Sequence, residues 1–368
     1  MTIMKRKKIK VGILFGGKSA EHEVSLQSAR NIADAIDKSK YEVVLLGIDK
    51  TGKWHLNNNS SKFLLNSQNP KLIALNKEGS KSVALVPQSS GALSLENSFN
   101  SPEKIDVVFP ILHGPFGEDG TVQGLLKLAG VPFVGASVLG SAVGMDKDVM
   151  KRLLRDAEIP IGKFLVFHEN EKLSFKTVVK TLGLPFFVKP ANMGSSVGVS
   201  RVSKKSQFSA AVKEAFKFDR KILLEENIFG REIERSVLGN DKPIASVPGE
   251  IIVHDEFYSY DAKYIDEHGA TLTIPAKLSK SAIKDAQKLA VATFKVLSCE
   301  GLGRVDLFLK KNGEFVVNEI NTIPGFTSVS MYPKLWEASG IPYTKLIDIL
   351  IQLAIERFKK EKRLKTVK

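Results

Sequence analysis

The sequence is poor in cysteine. Only one of 368 residues, Cys299, is a cysteine, so neither an intrachain disulfide nor a cysteine-based zinc cluster can form. That usage fits a reducing cytoplasm. No uninterrupted apolar run approaches the roughly 18 residues that a membrane span needs. Internal repeats and long low-complexity segments are also missing. Lys5, Arg6, Lys7 and Lys8 precede an apolar stretch, but Lys10 interrupts it and Gly16-Gly17-Lys18 ends it. This is a basic tail leading into a first strand, not an export signal. The body of the chain has little net charge. Of the formal +14, eleven charges lie at the ends: five basic groups in residues 1–10, and seven against Glu361 in residues 357–368. Charge runs at chain ends are usually solvated tails, and no recognition motif accompanies them, which argues against a nucleic-acid partner.

The rest of the composition is ordinary for a globular protein long enough for two or three domains. Strand-like and helix-like segments alternate, the mark of an α/β architecture. Strands are expected at 10–15, 42–48 and 105–112, with helices between and after them, the last at 121–128. Residues 57–104, rich in Asn, Ser and Lys, show little pattern. A second unit opens near Met145 with a helix at 147–157 and strands at 186–189, 197–202 and 221–225. A third holds a polar, aromatic loop at 254–270, a helix at 282–297, a hairpin at 303–321 and a final amphipathic helix at 343–358.

Gly12-Ile13-Leu14-Phe15-Gly16-Gly17-Lys18-Ser19 matches the phosphate-loop pattern G-x-x-x-x-G-K-[ST] letter for letter. That motif needs a flexible loop. Ile13, Leu14 and Phe15 instead continue a strand, so the glycines are expected to form a tight turn at its end, where open α/β sheets meet ligands. Glu21 follows, near a helix start, where simple capping is its bland explanation.

The most informative segment is 303–321. Asn312-Gly313 between two apolar runs signals a hairpin. A two-residue turn sets Lys311 opposite Glu314, Asp306 opposite Glu319 and Arg304 opposite Asn321, all four of the last on one face. Two carboxylates directly opposite repel unless a cation sits between them. Oxygen ligands with an amide alongside suit magnesium, with phosphate oxygens completing the shell. Glu319 can serve two ions, one shared with Asp306 and one with Asn321. Upstream, 186–189 is a strand ending in Lys189, followed by Ala191-Asn192-Met193-Gly194-Ser195-Ser196-Val197-Gly198, a loop suited to anionic oxygens.

Together these pieces resemble the ATP-grasp family of carboxylate–amine ligases, and within it the D-alanine–D-alanine ligases. Seven motifs carry the resemblance, in order: 16–25, His113-Gly114-Pro115-Phe116-Gly117-Glu118-Asp119-Gly120, Met145-Asp146-Lys147, Gly194-Ser195-Ser196, Ala262-Lys263-Tyr264, Gly303-Arg304-Val305-Asp306, and 318–327. The resemblance implies a three-domain ATP-grasp fold, with an N-terminal open parallel-sheet domain at 1–145, a central subdomain at 146–240 and a C-terminal one at 241–368. It implies ATP as co-substrate with two Mg²⁺ or Mn²⁺. Lys147, Lys189, Ser196 and Lys263 would lie on the nucleotide side, Glu225, Glu226 and the Ile228 backbone against adenine, and Glu232 on the ribose. Asp306, Glu319 and Asn321 would hold the metals. Glu21 would meet the ammonium of a first D-alanine with His113 nearby, and Ser195 and Tyr264 would link to Glu21. Arg304 and the Gly325 N–H would stabilise an oxyanion, and Ser330 and Met331 would contact a second D-alanine. Tyr264 after Lys263, in a loop where ester-forming relatives differ by placing a histidine near the second substrate, points to an amine acceptor. The implied partners are D-alanine and ATP, with the chain as a homodimer and neither nucleic acid nor membrane.

Overall fold

The computed structural model describes residues 7–57, 63–66, 69, 72–95, 98–253, 270–327 and 329–365. Its core begins with strand Ile9–Gly16, which pairs in parallel with Tyr41–Ile48 on one side and Val107–Ile111 on the other. Both faces of this strand are covered, which explains its unbroken apolar run. Val11, Ile13 and Phe15 pack against helix His22–Ala35, and Leu14 packs on the other side with Val122 and Leu126 of helix Thr121–Leu128. The three parallel strands are extended by four antiparallel ones, Trp54–Leu56, Lys81–Leu85, Ala92–Leu95 and Ser98–Lys104. Part of the featureless 57–104 stretch is therefore sheet.

Ile13, Leu14 and Phe15 are fully buried within the strand. Gly16 and Gly17 follow with φ of +92° and +95°. A Cβ at Gly16 would lie 2.1 Å from the Ile48 carbonyl oxygen, so only glycine makes this turn. Lys18 points outward over the Phe116 ring. The phosphate-loop pattern is thus a strand and its turn.

Two further sheets form a clasp. One has four strands in the order Phe164–His168, Lys221–Glu226, Phe186–Pro190, Ser200–Val202. The other is built around Gly230–Gly239, which pairs with Gly301–Lys310 over ten positions. Gly301–Lys310 pairs in turn with Phe315–Asn321. Alternation divides this sheet cleanly. Ile233, Val237, Val305 and Leu307 bury against Ala286, Ala290 and Phe294 of helix Lys280–Val296. The intervening Glu232, Glu234, Arg304 and Asp306 line the hollow on the other face. The last helix, Tyr343–Glu361, crosses back to the N-terminal sheet and buries Leu346, Ile347, Leu350, Ile351 and Ala354 in the same cluster as Val11 and Ile13. Each of these leucines and isoleucines contributes about 1.5–3 kcal/mol.

The hairpin register corrects the sequence reading in one place. Lys310, not Lys311, faces Glu314: its N–H donates to the Glu314 carbonyl at 2.9 Å, leaving a three-residue loop closed by Gly313 at φ +87°. A bulge between Asp306 and Leu307, opposite Asn318, takes up the extra residue. Beyond it Asp306 pairs with Glu319 and Arg304 with Asn321. The turn and bulge offsets cancel.

Candidate active site

Two hollows meet over the hairpin. The larger, about 1150 Å³, lies between the two clasp sheets and is lined by Lys147, Lys151, Lys189, Ser196, Glu226 and Ile228 among others. The smaller, about 190 Å³, opens by the end of the first strand, with Glu21, His113, Gly325, Ser330 and Met331 on its wall. Ser195, Glu232 and Glu319 line both. A group bound in one hollow therefore reaches a group in the other past the hairpin carboxylates.

The floor of the larger hollow is a buried charge network. Lys189, next to last in its strand, pairs with Glu225, and Lys151 lies 3.0 Å from the same carboxylate. Burial alone would raise the Glu225 pKa, but the two ammonium groups outweigh it and hold the carboxyl below its ordinary range. Burial depresses Lys151, only partly offset by Glu225. Lys147 is the first residue of helix Lys147–Asp156, whose N-terminus Asp146 caps by accepting from Asp148 and Val149. Its side chain is buried; Nζ donates to the Met193 carbonyl at 2.7 Å and lies 3.6 Å from Glu319. A solvated surface charge is thereby excluded. Glu226 accepts from the Lys163 N–H at 2.8 Å.

The serine loop between the hollows is pinned at its base, where Asn192 N–H and Nδ2 both donate to Asp219. Ser195 and Ser196 adopt left-handed backbone, φ +50° and +61°, a conformation non-glycine residues rarely hold without a reason. It aims the Ser195 hydroxyl at Glu21, to which it donates. Glu21 stands at the N-cap of helix His22–Ala35 but makes no capping bond. The capping explanation fails, and this buried carboxylate faces the pocket instead.

On the hairpin, Arg304 forks onto Asp306, with Nε and Nη2 at 2.7 and 2.8 Å, and its Nε also reaches Glu234 at 3.0 Å. Asn321 Nδ2 donates to Asp306 at 3.0 Å. Asp306, Glu319 and Asn321 form a hard oxygen donor set on one face, which fits magnesium. Among the described residues no three His, Cys, Asp or Glu side chains gather as a metal cluster, so the remaining ligands would come from phosphate oxygens. At the far wall, Ser330 precedes helix Met331–Ala338 and its hydroxyl lies 2.7 Å from Thr327 Oγ1. His113 Nδ1 donates to the Ile323 carbonyl at 3.0 Å, and burial pushes its pKa down.

A family model described as the D-ala D-ala ligase N-terminus matches residues 10–136, and one described as the D-ala D-ala ligase C-terminus matches 153–352. The chain belongs to the D-alanine–D-alanine ligase family. It is 56% identical to the D-alanine–D-alanine ligase of Oceanobacillus iheyensis over 362 residues, 98% of each chain. It is 53% identical to D-alanine–D-alanine ligase A of Escherichia coli K12, covering 98% of this chain and 99% of that one. Among solved structures, the D-alanine–D-alanine ligase from Coxiella burnetii superposes with a TM-score of 0.86 at 40% identity, covering 97% of this chain and 96% of that one. The VanG D-Ala:D-Ser ligase from Enterococcus faecalis gives 0.85 at 36%, covering 95% and 100%. With these neighbours the clasp is the ATP-grasp fold.

Lys263 and Tyr264 of this family member lie outside the described residues, as does most of the 254–270 loop. Three residues were missed in the sequence. Lys151 stands one helical turn beyond Lys147, a spacing that puts both on one face and could have revealed it. Glu234 is paired across strands with Asp306 and holds Arg304 from the other side. Glu118 sat inside a quoted motif without a role. Its Oε2 accepts the Gly114 N–H at 2.7 Å and its Oε1 the Ile323 N–H at 3.3 Å.

Proposed function

We propose that the chain joins two molecules of D-alanine into D-alanyl-D-alanine at the expense of ATP, releasing ADP and phosphate for peptidoglycan synthesis. The observation that carries this reading is the meeting of the two hollows at Glu319 and Ser195. ATP lies in the larger, its adenine against Glu225, Glu226 and the Ile228 backbone and its ribose on Glu232. Lys147 and Lys189 neutralise the phosphates. Magnesium, held by Asp306, Glu319 and Asn321, supplies further positive charge there when bound. Glu21 holds the ammonium of the first D-alanine.

The first carboxylate attacks the γ-phosphorus, ADP departs and an acyl phosphate forms; positioning and electrostatics carry this step. The amine of the second D-alanine then attacks the acyl carbon. Arg304, steadied by Glu234, and the Gly325 N–H stabilise the oxyanion. Ser330 and Met331, at the start of a helix, contact the second substrate, whose carboxylate suits the positive helix end. Phosphate leaves, carrying an oxygen from the first carboxylate. The 254–270 loop, with Lys263 on the nucleotide and Tyr264 linked to Glu21 and Ser195, closes over the site and excludes water. The setting is the cytoplasm and the working form a homodimer. Among the described residues no single helix is long and apolar enough to cross a membrane.

The test is an isotope transfer. With D-alanine labelled by ¹⁸O in its carboxyl group, the released phosphate should acquire one labelled oxygen per dipeptide. Unlabelled phosphate at full turnover would overturn the acyl-phosphate route.

A further inference from the structure

We infer that Asn318 is a further nucleotide-binding residue, which the hairpin bulge turns into the site to donate its side-chain N–H to the α-phosphate of ATP. The inference deepens the nucleotide assignment proposed above and rests on it.

Strict alternation would put Asn318 on the wrong face. Glu319 and Asn321 face the hollows, so Asn318 would fall with Ile320 on the side of helix Lys280–Val296. The bulge breaks that rhythm. Leu307 pairs with Val317 and Asp306 with Glu319, so Asn318 stands opposite no residue of the neighbouring strand. Phe315 and Val317 before it and Ile320 after it all bury in the core beneath the helix. Asn318 and Glu319 are thus side by side on the hollow face, and both line the larger and the smaller hollow. Bulges beside active sites re-aim side chains in this way.

No structural role occupies the carboxamide. Asparagine is a poor strand residue. Asn321, on the same face, is tied to Asp306, and Asn192 to Asp219. Among the described residues no group bonds the Asn318 carboxamide, which is half-buried at the junction of the two hollows.

The rows of the sheet tell which part of the nucleotide it meets. Glu232, Phe308 and Val316 form one cross-strand row. Glu234, Asp306 and Glu319 form the next row on that face, about 7 Å further along the strands. Asn318 stands between the two. The first row takes the ribose through Glu232, and the second takes the metals. Metal ions in phosphoryl transfer bridge the β- and γ-phosphates, so the α-phosphate spans the interval between the rows. Its oxygens accept hydrogen bonds, and the carboxamide therefore meets it through Nδ2–H.

The experiment is displacement of a fluorescent ATP analogue from the full-length protein. The competitors are ADP with magnesium and, separately, adenosine, which lacks the α-phosphate. Asn318→Leu should weaken ADP about tenfold, the loss expected of one hydrogen bond to a charged group, and leave adenosine unchanged. Asn318→Asp should weaken ADP further, because its carboxylate repels the phosphate, and again spare adenosine. Unchanged adenosine binding shows that the hollow is intact. An unchanged ADP affinity in Asn318→Leu would overturn the proposal. So would equal losses for ADP and adenosine, which would place the amide on the base or the sugar. Should the leucine variant not fold, Asn318→Ala is read in the same way. Failure of the unmodified protein to bind the analogue would instead strike the nucleotide assignment.

Discussion

Lys151→Met tests the charge network beneath the nucleotide. Lys151 is 2% exposed and its ammonium lies 3.0 Å from Glu225, which Lys189 also holds. At an effective dielectric of about 20, one such contact is worth about 5 kcal/mol of gross attraction. Desolvating the ammonium costs several kcal/mol, so most of that gain is already offset. Glu225 keeps Lys189 in the variant, and the net loss of stability should be only about 1–3 kcal/mol. The larger effect concerns protonation. The Glu225 pKa is depressed in the folded protein, so the stability it contributes is present at neutral pH and lost as pH falls through the folded value. Without Lys151 that folded value rises and the loss begins at higher pH. In the proposed nucleotide site Glu225 faces the adenine, and once protonated it would be a poorer acceptor for the adenine amino group. Between about pH 5 and 9 the ATP KM of the variant should therefore rise as pH falls, beginning at a higher pH than in the unmodified protein, and return towards the unmodified value at high pH, with kcat little changed. Steady-state kinetics across that range measure it. An unchanged KM, or one raised equally at every pH, would refute the reasoning.

Glu319→Gln should reduce turnover at saturating magnesium by at least about a hundredfold while leaving thermal stability equal or higher, because it relieves the repulsion with Asp306 opposite; near-normal ADP release would contradict the metal assignment. Lys189→Ala should weaken ATP binding strongly and Lys18→Ala barely, since Lys18 is exposed and absent from the hollow; nucleotide titration of both orders them. Gly16→Ala forces a Cβ to 2.1 Å from the Ile48 carbonyl oxygen at φ +92°, and should cost about 3 kcal/mol or more, visible as a lower midpoint of thermal unfolding.

The sequence was most legible where one local rule governed. The buried strand Ile9–Gly16 and helix Thr121–Leu128 declare themselves by apolar pattern and turn residues. The Asp306–Glu319 pairing also followed from local reasoning, although a three-residue turn and a bulge had to cancel to give it. Strand Gly230–Gly239 escaped notice because Glu232, Glu234 and Arg235 break its apolar rhythm, and those charges have their reason only in the folded site or core. Strands Lys81–Leu85 and Ala92–Leu95 alternate weakly, one face of each being wholly or partly open. Glu118 could not be found from spacing, since its carboxyl group meets Glu21 from 97 residues away and leans on Ile323 from beyond 200.

ADP release measured together with dipeptide formation tests the central claim most directly. The assay offers D-alanine alone, then D-alanine with D-serine, D-lactate or L-amino acids as acceptor. The proposed reaction uses an amine acceptor in the smaller hollow, so D-alanine alone should give one D-alanyl-D-alanine per ADP. L-amino acids should release almost no ADP, and D-lactate should not compete at neutral pH. ADP release independent of D-alanine, or a preference for D-lactate or D-serine over D-alanine as acceptor, would contradict the account.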